Sequence, residues 1–249
     1  PVFLLPGALR DRGPAIAEGL KNSFTLGVGQ FCTKPGLVFG VASPEWEAFI
    51  AAFTAQSRSV PQGVMLHPGI AANFQHATAA LGGIEWLVRA PAAVARVDAA
   101  GFLANSQLGH EIFGPFTLLV TVPQAADLPA LARSLDGQLT ATLHGVADDL
   151  AGAGELIAAL EQRAGRVLLN GFPTGVEVAH AMNHGGPYPA TTDVRQTSVG
   201  TAALTRFVRP ICYQDFPEAL RPDALKDSNP LALLRLVEGR PTRDPIIRG

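Results

Sequence analysis

Short β-rich apolar runs alternate along this chain with segments of helical periodicity, and that alternation restricts its fold more than any other feature. Phe116-Thr117-Leu118-Leu119-Val120-Thr121-Val122 is apolar or β-branched at every position, as expected of a strand covered on both faces. Gly36 to Val41 and Pro1 to Leu5 have the same character, and Leu139 to Leu143 and Val167 to Leu169 also read as extended. Helical spacing separates them. A first helix is predicted to open at Pro14 and to carry Ile16, Leu20 and Phe24, after a turn at Pro6-Gly7. Ser43-Pro44-Glu45 reads as an N-cap for a helix over Trp46 to Ala55, with further helices over Pro68 to Leu81, Leu128 to Leu135 and Glu155 to Arg163. Trp86 to Val88 and Ala93 to Val97 read as strands able to pair with each other. The order implies an α/β fold, a largely parallel twisted sheet with helices on both faces and right-handed crossovers.

Within 249 residues there is room for one large α/β domain or for two small ones. The formal net charge of −2 gives no basic excess for nucleic acid and no polybasic run for an anionic membrane. Polar residues interrupt every apolar stretch before it reaches the ~18 residues of a membrane span. The two cysteines, Cys32 and Cys212, lie far apart, and no secretory leader is visible. Together these predict a soluble, cytoplasmic protein with reduced thiols.

Chemistry points to Gly29-Gln30-Phe31-Cys32-Thr33-Lys34-Pro35-Gly36. Glycines let the backbone approach a ligand closely, and Pro35 stiffens the exit into the following strand. A thiol on such a turn, with the Lys34 cation nearby, suits a nucleophile; a small buried core residue suits the same local pattern. Cys212, between Ile211 and Tyr213, reads as part of an apolar strand. His180 and His184, four apart on an expected helix, could in principle share a metal. Ala181 stands where a zinc-protease motif has its Glu and no third ligand follows, so solvated or capping roles and no metal site are expected. Gly27-Val28-Gly29 and Gly152-Ala153-Gly154 begin like dinucleotide fingerprints but leave them incomplete.

The segment around Cys32 resembles the active-site motif of the aldehyde dehydrogenases, in the branch that includes 2,5-dioxovalerate (α-ketoglutarate semialdehyde) and fatty-aldehyde dehydrogenases. Glu111-Ile112-Phe113-Gly114-Pro115, Leu168-Leu169-Asn170-Gly171-Phe172-Pro173-Thr174-Gly175-Val176 and Gly186-Pro187-Tyr188-Pro189-Ala190-Thr191-Thr192-Asp193 match in the same order. The match continues through Arg206-Phe207-Val208-Arg209-Pro210 and covers nearly the whole chain. The resemblance implies that Cys32 attacks an aldehyde to form a thiohemiacetal and then a thioester, and that NADP or NAD accepts the hydride. Glu111 and Phe113 would hold the nicotinamide end of the cofactor, although His110 stands where many members have an acidic residue.

Arg195, with Asp193 and three threonines close by, is a candidate cationic fork for a substrate carboxylate. An Arg simply paired with Asp193 fits the same sequence. The resemblance also implies that residues 1–205 are the catalytic domain, with the cofactor domain, the general base and an oxyanion Asn lying upstream of Pro1. Residues 206–249 would form a C-terminal strand and homo-oligomerisation tail. The implied substrate is 2,5-dioxovalerate, with a long-chain aldehyde as the alternative. A Cys-dependent acyltransferase or hydrolase would need a His within reach of Cys32, and a non-catalytic assembly module would bury the thiol.

Overall fold

The computed structural model describes residues 1–247 and divides the chain into two compact units, Pro1–Arg206 and Phe207–Gly249. Among the described residues, the first unit contains a seven-stranded sheet. Its strands are β1 (Val2–Leu4), β2 (Leu37–Val41), β3 (Glu85–Val88), β4 (Ala93–Asp98), β5 (Phe116–Val122), β6 (Gln138–His144) and β7 (Ala164–Leu169), in the order β3-β4-β5-β2-β1-β6-β7. Every neighbouring pair is parallel except β3 with β4, the two strands expected to pair.

Alternate side chains feed two cores, so the central strands need apolar residues at almost every position. Phe3, Phe39, Leu118, Val120 and Leu143 face one side, beneath α4 (Ala99–Ala104), α5 (Leu128–Ser134) and α7 (Gly154–Glu161). Phe3 stacks on Phe39 with centroids 4.8 Å apart, and Phe102 of α4 meets Phe39 edge-on at 5.5 Å. Val2, Leu4, Val38 and Leu119 face the other side, beneath α1 (Pro6–Thr25) and α2 (Pro44–Arg58). A side chain at Gly40 would overlap the Trp46 ring, which lies directly on β2. Ser43 Oγ caps α2 by accepting from Trp46 N at 3.1 Å, as its sequence indicates.

The first helix differs from expectation. It opens at Pro6, where a turn was expected, and Pro14 lies inside it. Proline cannot donate to the preceding turn, and Arg12 leaves helical geometry (φ −138°, ψ 15°), so Pro14 follows a kink and begins a second straight segment. The helix start is fixed from a distance: Asp149, on the short helix α6 (Ala147–Ala151), accepts from Gly7 N, Ala8 N and Val146 N at 3.0 Å each.

The unit Phe207–Gly249 is built from short turns and a hairpin of β8 (Arg235–Val237) and β9 (Arg240–Thr242). Side chains bonded to backbone replace a core: Asn229 Nδ2 donates to Leu233 O at 2.9 Å and Arg243 O at 2.8 Å, and Arg235 donates to Lys226 O at 2.6 Å. Ile211 to Tyr213 form no strand, and Cys212 is exposed, contrary to the apolar-strand reading. Pro210 removes a ladder donor immediately before the triplet. No helix among the described residues is long and apolar enough to cross a membrane.

Candidate active site

Three successive left-handed residues, Gly27 (φ 55°), Val28 (φ 59°) and Gly29 (φ 68°), turn the chain out of α1 toward Cys32. A β-branched residue in that region is strained, so surrounding contacts must hold it there. One of them is close backbone packing, since a side chain at Gly29 would overlap the Gly114 carbonyl. Beyond the turn Cys32 is exposed, while Thr33 is buried and donates from Oγ1 to Pro173 O at 3.0 Å.

The thiol has a partner that sequence reasoning missed. Cys32 Sγ lies 3.2 Å from His184 Nε2. His184 is 8% exposed and is fixed through its backbone, its N–H donating to Thr197 Oγ1 at 2.7 Å and its carbonyl accepting from Ser198 N at 2.9 Å. The solvated or capping role expected for His184 is therefore corrected. No helix joins His180 to His184; this stretch is irregular, and His180 Nδ1 instead meets Thr201 Oγ1 at 3.1 Å. Burial, and secondarily the charge of Arg166, lowers the His184 pKa and keeps the imidazole neutral. Arg166, on β7, braces the same loop through Nη2 to Pro173 O at 2.7 Å and Nη1 to Gly175 O at 3.3 Å. Pro173 O thus joins Thr33 to Arg166. A neutral ring nitrogen in contact with a thiol can accept its proton as the sulfur attacks a carbonyl.

A cavity of about 390 Å³ opens beside Cys32 at the N-terminal ends of β2, β5 and β6, with Thr33, Lys34, Glu111, Pro173 and Pro189 in its wall. Glu111 is exposed and lies close enough to Lys34 for their charges to interact. Phe113, two residues on, is 39% exposed and is not among the wall residues. Arg195 is outside this wall as well, and its fork is already occupied: Nε and Nη2 meet Asp193 Oδ1 and Oδ2 at 3.0 and 2.9 Å. Of the two arrangements that the sequence allowed for Arg195, the structure shows the pair with Asp193.

No family model matches the chain. It is 46% identical over 252 residues to "Alpha-ketoglutaric semialdehyde dehydrogenase 2" of Azospirillum brasilense, an alignment covering 96% of this chain and 48% of the relative. It is 44% identical, with the same coverage of both, to "Alpha-ketoglutaric semialdehyde dehydrogenase" of Acinetobacter baylyi. The chain spans about half the length of the curated relatives it matches. Its fold is shared with gamma-glutamyl-gamma-aminobutyraldehyde dehydrogenase of Burkholderia cenocepacia, at a TM-score of 0.66 and 17% identity over 82% of this chain and 43% of that one. Along almost its whole length the chain is thus similar in sequence to dehydrogenases of α-ketoglutaric semialdehyde, and its sheet and helix arrangement is the fold of aldehyde dehydrogenases of known structure.

Proposed function

We propose that this chain carries the nucleophile of an NAD(P)-dependent aldehyde dehydrogenase that oxidises 2,5-dioxovalerate to 2-oxoglutarate. The observation that supports this most directly is the Cys32–His184 pair at a cavity that also presents Glu111. His184 Nε2 accepts the thiol proton as Cys32 Sγ bonds to the aldehyde carbon. The nicotinamide cofactor, when bound, accepts the hydride released from that carbon. The Cys32 thioester is then hydrolysed to the carboxylic acid, and the thiol regains its proton.

The wall residues suit one end of such a cofactor, because the Glu111 carboxylate can accept from two ribose hydroxyls at once, and Phe113 offers an exposed ring nearby. The names of the relatives favour 2,5-dioxovalerate over a long-chain aldehyde. Arg195 would serve as a carboxylate fork only by exchanging its contact with Asp193.

In a protein of the relatives' full length carrying this chain, Cys32→Ala should abolish reduced-nicotinamide formation from 2,5-dioxovalerate, and undiminished turnover would refute the assignment. A second reading gains support from the same pair, since Cys-dependent acyl transfer also needs a His in contact with the thiol. Aldehyde consumption that does not require nicotinamide would favour it. The unit Phe207–Gly249 exposes Phe207, Val208, Ile211 and Leu236, which supports self-association through this tail in a homo-oligomer. Sedimentation before and after removal of residues 207–249 tests that role. Two free thiols suit a reducing cytoplasm, which cell fractionation would check.

A further inference from the structure

Two loops meet at the cavity, the nucleophile turn before β2 and the irregular segment between Gly109 and β5 that carries Glu111 and Phe113. Residues 30–36 and 110–115 belong to no helix or strand, so their relative placement depends on specific contacts. Gly29 packs on Gly114 at one end. At the other, the part-buried Lys34 donates from Nζ to Ile112 O at 3.1 Å and Phe116 O at 2.9 Å, the carbonyls on either side of Phe113. Enclosing an ammonium costs free energy that two neutral carbonyls only partly repay. A methionine would fill the same space without that cost, so filling space alone does not account for a lysine here.

We propose that Lys34 is a positioning residue that sets the Glu111–Phe113 segment relative to Cys32, and that it holds the segment more tightly as an ammonium than as a neutral amine. Both forms can donate to the two carbonyls, but the charged donor makes the stronger bonds. Burial lowers the Lys34 pKa to about 8, with Glu111 opposing the shift, so the strong form is lost as pH rises through that value. The other titratable side chains around this cavity are Cys32, His110, Glu111 and Asp136.

The test is hydrogen exchange of the amides in residues 109–116, corrected for intrinsic base catalysis and measured from about pH 7 to pH 9.5 in a Cys32→Ala background that removes the thiol. With Lys34 present, exchange should accelerate by roughly fivefold or more across pH 8, against unchanged protection in β5. Lys34→Arg keeps the charge and should show no such step; Lys34→Met should exchange fast throughout. If Lys34→Met fails to fold, the Lys and Arg profiles decide. A flat profile with Lys34 present, or the same step with Arg, would overturn the proposal. Catalysis is not read, so the result is independent of the dehydrogenase assignment.

Discussion

Cys32 and Cys212 are both exposed, so access alone does not make either the nucleophile. The difference is His184, whose neutral imidazole contacts only Cys32. With iodoacetamide at neutral pH, Cys32 should be labelled faster than Cys212, and His184→Ala should slow Cys32 by between roughly ten- and a hundredfold while leaving Cys212 unchanged. Peptide mapping reads both sites at once, and equal loss at both would indicate unfolding instead. Cys32 and Glu111 could be singled out from sequence because each sits in a short motif, and both line one cavity. His184 could not, because it lies 152 residues from Cys32 and only the folded loop brings them together. For Arg195 the sequence left a substrate fork and a pair with Asp193 both open, because the two residues are near neighbours, and the structure shows the pair.

Strands and helices were largely legible because their signals are local: the unbroken apolar runs of β2 and β5, Ser43 before α2, and Pro68 at the start of α3 (Pro68–Ala80). The start of α1 was not, since its cap comes from Asp149, more than 140 residues away. Asp149→Ala leaves the N–H groups of Gly7, Ala8 and Val146 without that acceptor and should cost about 2–3 kcal/mol, seen as a lower urea midpoint. Asp149→Asn, which keeps one oxygen, should cost less.

At the end of β6, His144 packs against Phe172 with centroids 5.0 Å apart. Burial, reinforced by the charge of Arg12, lowers its pKa to about 4. The native state therefore binds fewer protons at this site than the unfolded chain between about 4 and the ordinary 6.5. The associated stability is fully present above 6.5 and is lost as pH falls through that window, on the order of 3 kcal/mol in all. Urea midpoints of the wild type and His144→Phe at neutral pH and near pH 4.5 should show the wild type losing more stability on acidification. Parallel losses would remove His144 from the account.

At the scale of the whole molecule, the distribution of parts argues that the chain as it stands does not turn over. It spans 48% of the length of relatives that are dehydrogenases by name. The cavity beside Cys32 is about 390 Å³ and has Glu111 in its wall. Neither incomplete glycine fingerprint can cradle the phosphates. Gly27 to Gly29 is a left-handed turn pressed against Gly114, and Gly152 to Gly154 joins the short α6 to α7 with no preceding strand. Holding reactants in register is commonly worth ~7–11 kcal/mol of barrier, and a cofactor anchored at one end forfeits much of it. Purified chain mixed with 2,5-dioxovalerate and either NAD or NADP should produce no steady reduced nicotinamide, while Cys32 in the same sample remains open to alkylation. A silent sample with an unreactive Cys32 would point to a collapsed site and leave the positioning argument without support. Sustained turnover would require a complete cofactor site within these residues and would overturn it.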